Sequence, residues 1–234
     1  MRQLTHGQEV RLGADGPVIR FSQRSKYRIT QDGAPRIAWA AGGPRALAAA
    51  GRVADEVVIG HADAHLLRLQ LEHVRSGAAQ AGRPMPTITL FVGLYLATES
   101  PTDAQLQASM GSHVPNMLAS NLRSALPHVD ELGALGASFA NYGALQKGWE
   151  LRADELDRYA HSLSDEYASV TDSAALHAKI LSGSVQSLGA RIEELEALGA
   201  NRCVFFPDRT DPGWFDTACR VVPALSRIAA PRAP

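Results

Sequence analysis

Four short apolar runs along the chain have the length and composition of buried β-strands. They lie at Ile37 to Ala41, Val57 to Gly60, Ile88 to Ala97 and Arg202 to Phe206. Helical segments, with apolar residues recurring every three or four positions, follow these runs. The alternation predicts an α/β fold in which the four strands are parallel neighbours in chain order, with helices outside the sheet.

Two of the helices have clear start signals. Asp63 and Ser184 precede apolar stripes, and their side chains are suited to accept hydrogen bonds from the first backbone N–H groups of a helix. The stripes are Leu67, Leu71, Val74 and Ala78 after the first cap and Leu188, Ile192, Leu195 and Leu198 after the second. We expect Gly199 to end the second helix.

The segment from Gln8 to Ile29 has short alternating apolar positions around a Gly-rich turn, which predicts a β-hairpin. Its basic residues are interleaved with aromatic ones, as in a nucleic-acid-binding patch. A solvated edge strand, whose charges prevent aggregation, is the favoured interpretation.

Residues 100–182 form the least regular part of the chain. We interpret them as a helical insertion within a single domain that spans residues 1–234. The helices expected in it are Gln105 to Met110, Val114 to Leu126, Ala153 to Ser162 and Ser173 to Leu181. Glycines at positions 133, 136, 143 and 148 indicate either close packing or mobility. A closing helix is expected around Phe215 to Leu225.

Composition excludes several classes of partner. The 234 residues include 23 Lys and Arg against 24 Asp and Glu, for a net charge of -1, so we expect no nucleic-acid or membrane binding. The first ten residues lack the apolar run of a signal peptide. Two cysteines, Cys203 and Cys219, are too few for a disulfide framework. A cytoplasmic protein is expected.

The turn after the first strand has the features of a phosphate site. Gly42 and Gly43 allow close backbone approach, and Pro44 is suited to be the first residue of a helix, whose N–H groups and dipole favour an anion. The alternative is a tight turn that needs glycine only for its shape.

Other candidate residues follow the later strands. Gly60 and His61 come after the second strand, where His61 is a weak candidate for protonating a substrate. Asp208 and Arg209 come after the last strand and are weak candidates for holding an anionic substrate, with ordinary loop solvation as the alternative. His61 and His65, four residues apart, also permit a metal-hydrolase interpretation, although no third ligand is evident.

The stretch from Ile37 through Gly42-Gly43-Pro44-Arg45 to Gly60 resembles the luciferase-like flavin and deazaflavin oxidoreductases, at the fifth strand of their (β/α)8 barrel. The segment from Gly183 to Pro207 resembles the last helix and strand of that family. The family's first four strands have no counterpart. A closed barrel needs about 250 residues, so the resemblance implies a TIM-barrel type of which this chain is the carboxyl half.

The resemblance carries specific expectations. It implies coenzyme F420, a deazaflavin, or FMN as the cofactor, and hydride transfer or oxygen activation on a small organic substrate. It assigns the cofactor phosphate to Ala41, Gly42, Gly43, Arg45 and Ala46. Gly60 is expected to line the cofactor site.

Two alternatives to such an oxidoreductase remain. One is the metal-dependent hydrolase. The other is a catalytically silent half-barrel that acts in binding or assembly. A half-barrel leaves an apolar face open, so we expect a homodimer or a higher oligomer.

Overall fold

The computed structural model describes residues 10–11, 18–19, 36–96, 100–147, 171–207 and 219 of the chain. The chain divides into two compact units, residues 1–37 and 38–234. In the first unit, β1 (Val10–Arg11) pairs in antiparallel fashion with β2 (Val18–Ile19). The hairpin prediction is confirmed at these residues.

The second unit contains a parallel sheet. Its main strands lie in the order β3, β4, β5 and β7, and each pair of neighbours is parallel. Their bounds are Ala38–Ala40, Glu56–Ile59, Thr87–Leu96 and Arg202–Pro207. The predicted order and direction of the four strands are confirmed.

A fifth strand, β6 (Ile180–Gly183), was not predicted from the sequence. It pairs with β5 at residues 93–96, whereas β4 pairs with β5 at residues 87–90. Because β7 occupies the other edge of β5 along residues 89–94, β4 and β6 follow one another on the same edge. The expected helix from Ser173 to Leu181 is therefore wrong at its end, since the observed helix, Ser173–Lys179, stops at Lys179 and the chain continues into β6.

Three helices cover one face of the sheet. They are α1 (Pro44–Val53), α2 (Ala64–Gln80) and α7 (Val185–Leu198). Asp63 and Ser184 cap α2 and α7 as expected, and Gly199 ends α7 with a φ of 118°. The apolar stripes of these helices and the even-numbered residues 88–94 of β5 share one buried core.

The remaining described helices form a second core. They are α3 (Asp103–Met110), α4 (Val114–Ala125), α5 (Gly133–Lys147) and α6 (Ser173–Lys179). The helix α5 was not predicted, and its glycines left close packing and mobility as alternatives. Gly136 instead permits close packing, since a Cβ there would lie 1.9 Å from the Val129 carbonyl oxygen. The expected helices at Ala153 to Ser162 and at Phe215 to Leu225 lie outside the described residues, apart from the helical Cys219.

The two ends of the other sheet face differ. Near the carboxyl ends of the strands, Tyr95 and Phe206 pack against the second core. Towards the amino ends, Phe91 is 42% exposed and Val204 is 46% exposed, and Ala38 and Ala40, the residues of β3 on this face, are exposed. An apolar part of this face therefore lies open. None of the helices in the described part of the chain has the length and apolar character needed to span a bilayer.

Candidate functional site

The turn between β3 and α1 leaves backbone donors without partners inside the helix. Pro44 begins α1, and Gly43 precedes it in an extended conformation and supplies no side-chain cap. The first hydrogen bond of the helix runs from the Leu47 N–H to the Gly43 carbonyl oxygen, 2.9 Å away. The N–H groups of Arg45 and Ala46 therefore point out of the helix end, where its dipole favours an anion.

The two glycines of the turn have different roles. A Cβ on Gly42 would lie 2.2 Å from the Ser120 carbonyl oxygen of α4, so Gly42 is required for packing. A Cβ on Gly43 would have Arg123 Cβ, 3.9 Å away, as its near neighbour. Among the described residues, there is room for a Cβ at Gly43 but not at Gly42. Packing explains the need for glycine at position 42, and the assignment of the cofactor phosphate to Gly42 and Gly43 stays a prediction.

The carbonyl group of Gly42 is held by two buried side chains. Gln70 Nε2 donates to it across 3.0 Å, and Ser124 Oγ donates to it across 2.5 Å. The described residues contain no cis peptide bond. In a trans peptide the C=O and the next N–H point in opposite directions, so the N–H of Gly43 is directed away from Gln70 and Ser124.

His61 begins the hydrogen-bond chain that orients Gln70. The ring is fully buried, and its Nδ1 accepts from the Asp63 N–H at 3.2 Å. The ring proton is therefore on Nε2, which donates to Gln70 Oε1 at 3.0 Å. Burial is the main cause that lowers the pKa of His61 from 6.5 to about 4. His61 is thus a neutral donor at physiological pH.

The chain of hydrogen bonds continues into α4. Besides the Gly42 carbonyl, Gln70 Nε2 donates to Asn121 Oδ1 at 2.7 Å. Asn121 Nδ2 donates in turn to the Met117 carbonyl oxygen at 2.7 Å. In each of these hydrogen bonds the donor and the acceptor are fixed by the other bonds. The turn, α2 and α4 are therefore joined by one polar network.

The geometry disfavours the metal interpretation. His61 lies before the first residue of α2 rather than on the same helical face as His65, and both of its ring nitrogens are engaged. His65 is half-buried, and its Nε2 lies 3.6 Å from Glu131 Oε2. Among the described residues, no group of three or more His, Cys, Asp or Glu side chains is arranged to hold a metal ion.

Gly60 lies at the end of β4, and its carbonyl oxygen accepts a hydrogen bond from Lys179 Nζ at 2.8 Å. Asp208 and Arg209 lie outside the described residues. The sequence interpretation missed Gln70, Asn121, Ser124 and Lys179. One signal was available for Gln70, because it is a polar residue beside Leu67, Leu71 and Val74 on the buried stripe of α2.

Fold and site together define a part of a parallel strand–helix barrel with an anion-suited turn at the carboxyl ends of its strands. A family model described as luciferase-like monooxygenase matches residues 1–202, and the chain belongs to this family. No curated protein matches the chain significantly.

Solved structures support the fold. An F420-dependent secondary alcohol dehydrogenase, in complex with an F420-acetone adduct, matches with a TM-score of 0.60 and 13% identity, covering 96% of this chain and 58% of that protein. A riboflavin lyase, with modified FMN and riboflavin, matches with a TM-score of 0.54 and 16% identity, covering 97% of this chain and 50% of that protein. The monooxygenase RslO1 from Streptomyces bottropensis matches with a TM-score of 0.52 and 18% identity, covering 98% of this chain and 57% of that protein.

The chain therefore spans little more than half of the length of these three structures. The fold is of the TIM-barrel type, and the interpretation as part of such a barrel agrees with this coverage. The similar structures include an F420-dependent enzyme and an enzyme with modified FMN, so both expected cofactors occur among them.

Proposed function

We propose that this chain binds the phosphate of FMN or coenzyme F420 at the turn formed by Ala41, Gly42, Gly43, Arg45 and Ala46, as part of a flavin- or deazaflavin-dependent oxidoreductase. The observation that carries the proposal is the fixed Gly42 carbonyl, because it directs the Gly43 N–H away from the network. The N–H groups of Arg45 and Ala46 add two further donors at the helix start.

The residues present fit a phosphate group. The turn supplies backbone donors and open space at Gly43, and Arg45 can add a charge-assisted contact. When bound, the cofactor supplies hydride transfer or, in the case of a flavin, oxygen activation on a small organic substrate. The turn binds the phosphate of the cofactor and thereby orients the cofactor.

In this proposal His61 holds the turn and is not the proton donor. Its ring is fully buried and its only ring proton is donated to Gln70. A pKa of about 4 leaves the ring neutral at physiological pH, without the extra proton that a general acid transfers.

Domain organisation and location are part of the same proposal. We treat residues 1–234 as one luciferase-like domain with a helical insertion. The insertion expected at residues 100–182 overlaps β6, so we propose that it ends at Lys179. We also propose a cytoplasmic location, since the chain has only two cysteines, Cys203 and Cys219, and this low count is typical of a reducing compartment.

Binding or assembly without catalysis is a second candidate function. It is favoured by the open apolar part of the sheet face around Phe91 and Val204.

Titration of the purified chain with FMN and with F420, followed by fluorescence quenching, separates the two functions. Arg45→Ala should weaken binding by about 1 to 3 kcal/mol, through the loss of a charge-assisted contact. Arg52→Ala, at the other end of α1, is the matched control and should bind like the wild type. A wild type that binds neither cofactor would overturn the proposal in favour of the silent half-barrel.

A further inference from the structure

Lys179 is a buried cation that the proposed function does not use. It is the last residue of α6 and only 5% exposed. Within the described ranges of the chain, no carboxylate forms an ion pair with it. A buried ammonium group without a counter-ion is costly, so the contacts that it does make require an explanation.

The ammonium group lies at the junction where β4 gives way to β6 on the edge of β5. Its Nζ donates to the carbonyl oxygens of Gly60, at 2.8 Å, and of Phe91, at 2.9 Å. Gly60 directly follows β4, and Phe91 lies between the residues of β5 that pair with β4 and those that pair with β6. The ammonium group therefore donates hydrogen bonds to two carbonyl oxygens at a point where neither β4 nor β6 supplies a backbone N–H.

Two aromatic rings complete the surroundings of the ammonium group. Its Nζ lies 4.9 Å from the ring centroid of Phe206 and 5.4 Å from that of Phe91. The two rings contact each other, and the ring of His113 lies 4.6 Å from that of Phe206 at a tilt of 51°. Cation–π attraction and two carbonyl oxygens thus stabilise the charge in place of a carboxylate.

The same junction is tied to the candidate site by its neighbours. The Ala62 N–H donates to the Ala178 carbonyl oxygen at 2.7 Å, and Arg191 Nη2 donates to the Ala62 carbonyl oxygen at 2.9 Å. His61 lies between Gly60 and Ala62, so the backbone on both sides of this ring is held.

We propose that Lys179 is a positioning residue, which clamps the end of β4 to β5 and thereby fixes Gly60 and His61 beside the candidate phosphate turn. Its relevance to cofactor binding rests on the proposed function, whereas the clamp itself does not. The path runs from Lys179 through the Gly60 backbone to His61, and from there through Gln70 to the Gly42 carbonyl.

Electrostatics gives the clamp a measurable signature. The charge of Lys179 adds to burial in lowering the pKa of His61, while the hydrogen bond to Gln70 and the carboxylate of Asp63 oppose it. Burial lowers the pKa of Lys179 itself to about 8. The protonation of Lys179 should therefore be detectable at His61 and Gly60 in the absence of any cofactor.

Nuclear magnetic resonance of the cofactor-free chain tests the clamp. In Lys179→Met we expect the pKa of His61 to rise and the Gly60 amide resonance to shift. Arg68→Met, which removes an exposed cation from α2, is the matched control and should change neither. Unchanged His61 and Gly60 signals in folded Lys179→Met would overturn the proposal.

A wild-type titration keeps the test decisive if Lys179→Met fails to fold. The Gly60 and His61 amide resonances should shift together as Lys179 loses its proton, at a pH below the ordinary range of a lysine because burial lowers the pKa of Lys179, and the absence of a common shift contradicts the clamp. Cofactor titration is a separate arm, in which folded Lys179→Met should bind about tenfold more weakly than the wild type. Failure of the wild type to bind contradicts the proposed function and leaves the resonance result to decide on the clamp.

Discussion

Gln70 Nε2 donates a hydrogen bond to the carbonyl oxygen of Gly42 across 3.0 Å, although the two residues are 28 positions apart in the chain. This contact links the inner side of α2 to the turn at the end of β3. Because His61 Nε2 donates to Gln70 Oε1, the amide nitrogen of Gln70 is the group that faces the Gly42 carbonyl oxygen. The orientation of the turn is therefore determined by side chains that do not belong to it.

Replacement of Gln70 by Leu should destabilise the fold. The substitution leaves the His61 Nε2–H and Asn121 Oδ1 without partners in a buried environment. The free energy of unfolding, measured with urea, should fall by about 2 to 6 kcal/mol, since each of the two unsatisfied buried groups costs about 1 to 3 kcal/mol. Gln80→Leu, at the exposed end of the same helix, is the control. Equal stabilities of the two variants would contradict the network.

The glycines of the turn should respond differently to alanine. Gly42→Ala places a Cβ 2.2 Å from backbone of α4, so the helix must move, and we expect a loss of about 1 to 3 kcal/mol or more. Gly43 has a φ of -89° and open space, so Gly43→Ala should leave stability nearly unchanged. Thermal unfolding followed by circular dichroism compares them. Similar losses for both variants would argue against the different roles.

The stability of the protein should depend on His61 between about pH 4 and 6.5. The unfolded chain binds a proton at His61 below pH 6.5, but the folded chain does so only near pH 4. The free energy of unfolding should therefore fall as the pH falls through this window, by at most about 3 kcal/mol.

Urea unfolding at several pH values measures this dependence. His61→Gln should remove the His61 contribution to the slope, whereas His73→Gln, on α2 and outside the network, should retain it. Parallel pH profiles for the wild type and His61→Gln would show that the folded state accepts the proton.

Self-association follows from the open part of the sheet face. Val204 is 46% exposed there, and burial of such apolar area between copies is favourable. We expect a dimer or a higher oligomer in sedimentation at micromolar concentration, and Val204→Glu should shift it towards monomer. Val53→Glu, at a similarly exposed position on α1, should not. A compact, stable wild-type monomer would count against the half-barrel interpretation.

The sequence was sufficient for the main strands because their signals are local. The apolar runs around Val57 and Ile88 and the caps Asp63 and Ser184 are each contained within a few residues, and parallel order follows from the helical crossovers between strands. The strand β6 has no such signal. Its four residues directly follow an Ala-rich helix without a breaker, and only pairing with β5 distinguishes them from one more helical turn.

The candidate site was predictable only in part. The turn at Gly42-Gly43-Pro44 is a local pattern, and it was found. The side chains that orient it lie on α2 and α4, up to 82 residues away from Gly42. Nothing in the local sequence of Ser124 indicates this partner, because the contact depends on how the helices pack.

Gly43→Val provides the sharpest test of the phosphate turn. The backbone conformation of Gly43, with a φ of -89°, accommodates a β-branched residue, and the described neighbours leave room for its Cβ. The valine methyl groups should occupy the space beside the Gly43 N–H and obstruct the anion. Titration with FMN and with F420 should show binding weaker by about 1 to 3 kcal/mol, the value of a few charge-assisted hydrogen bonds. Circular dichroism must first show that the variant is folded. A wild type that binds one of the cofactors and a folded Gly43→Val that binds it equally well would place the phosphate elsewhere.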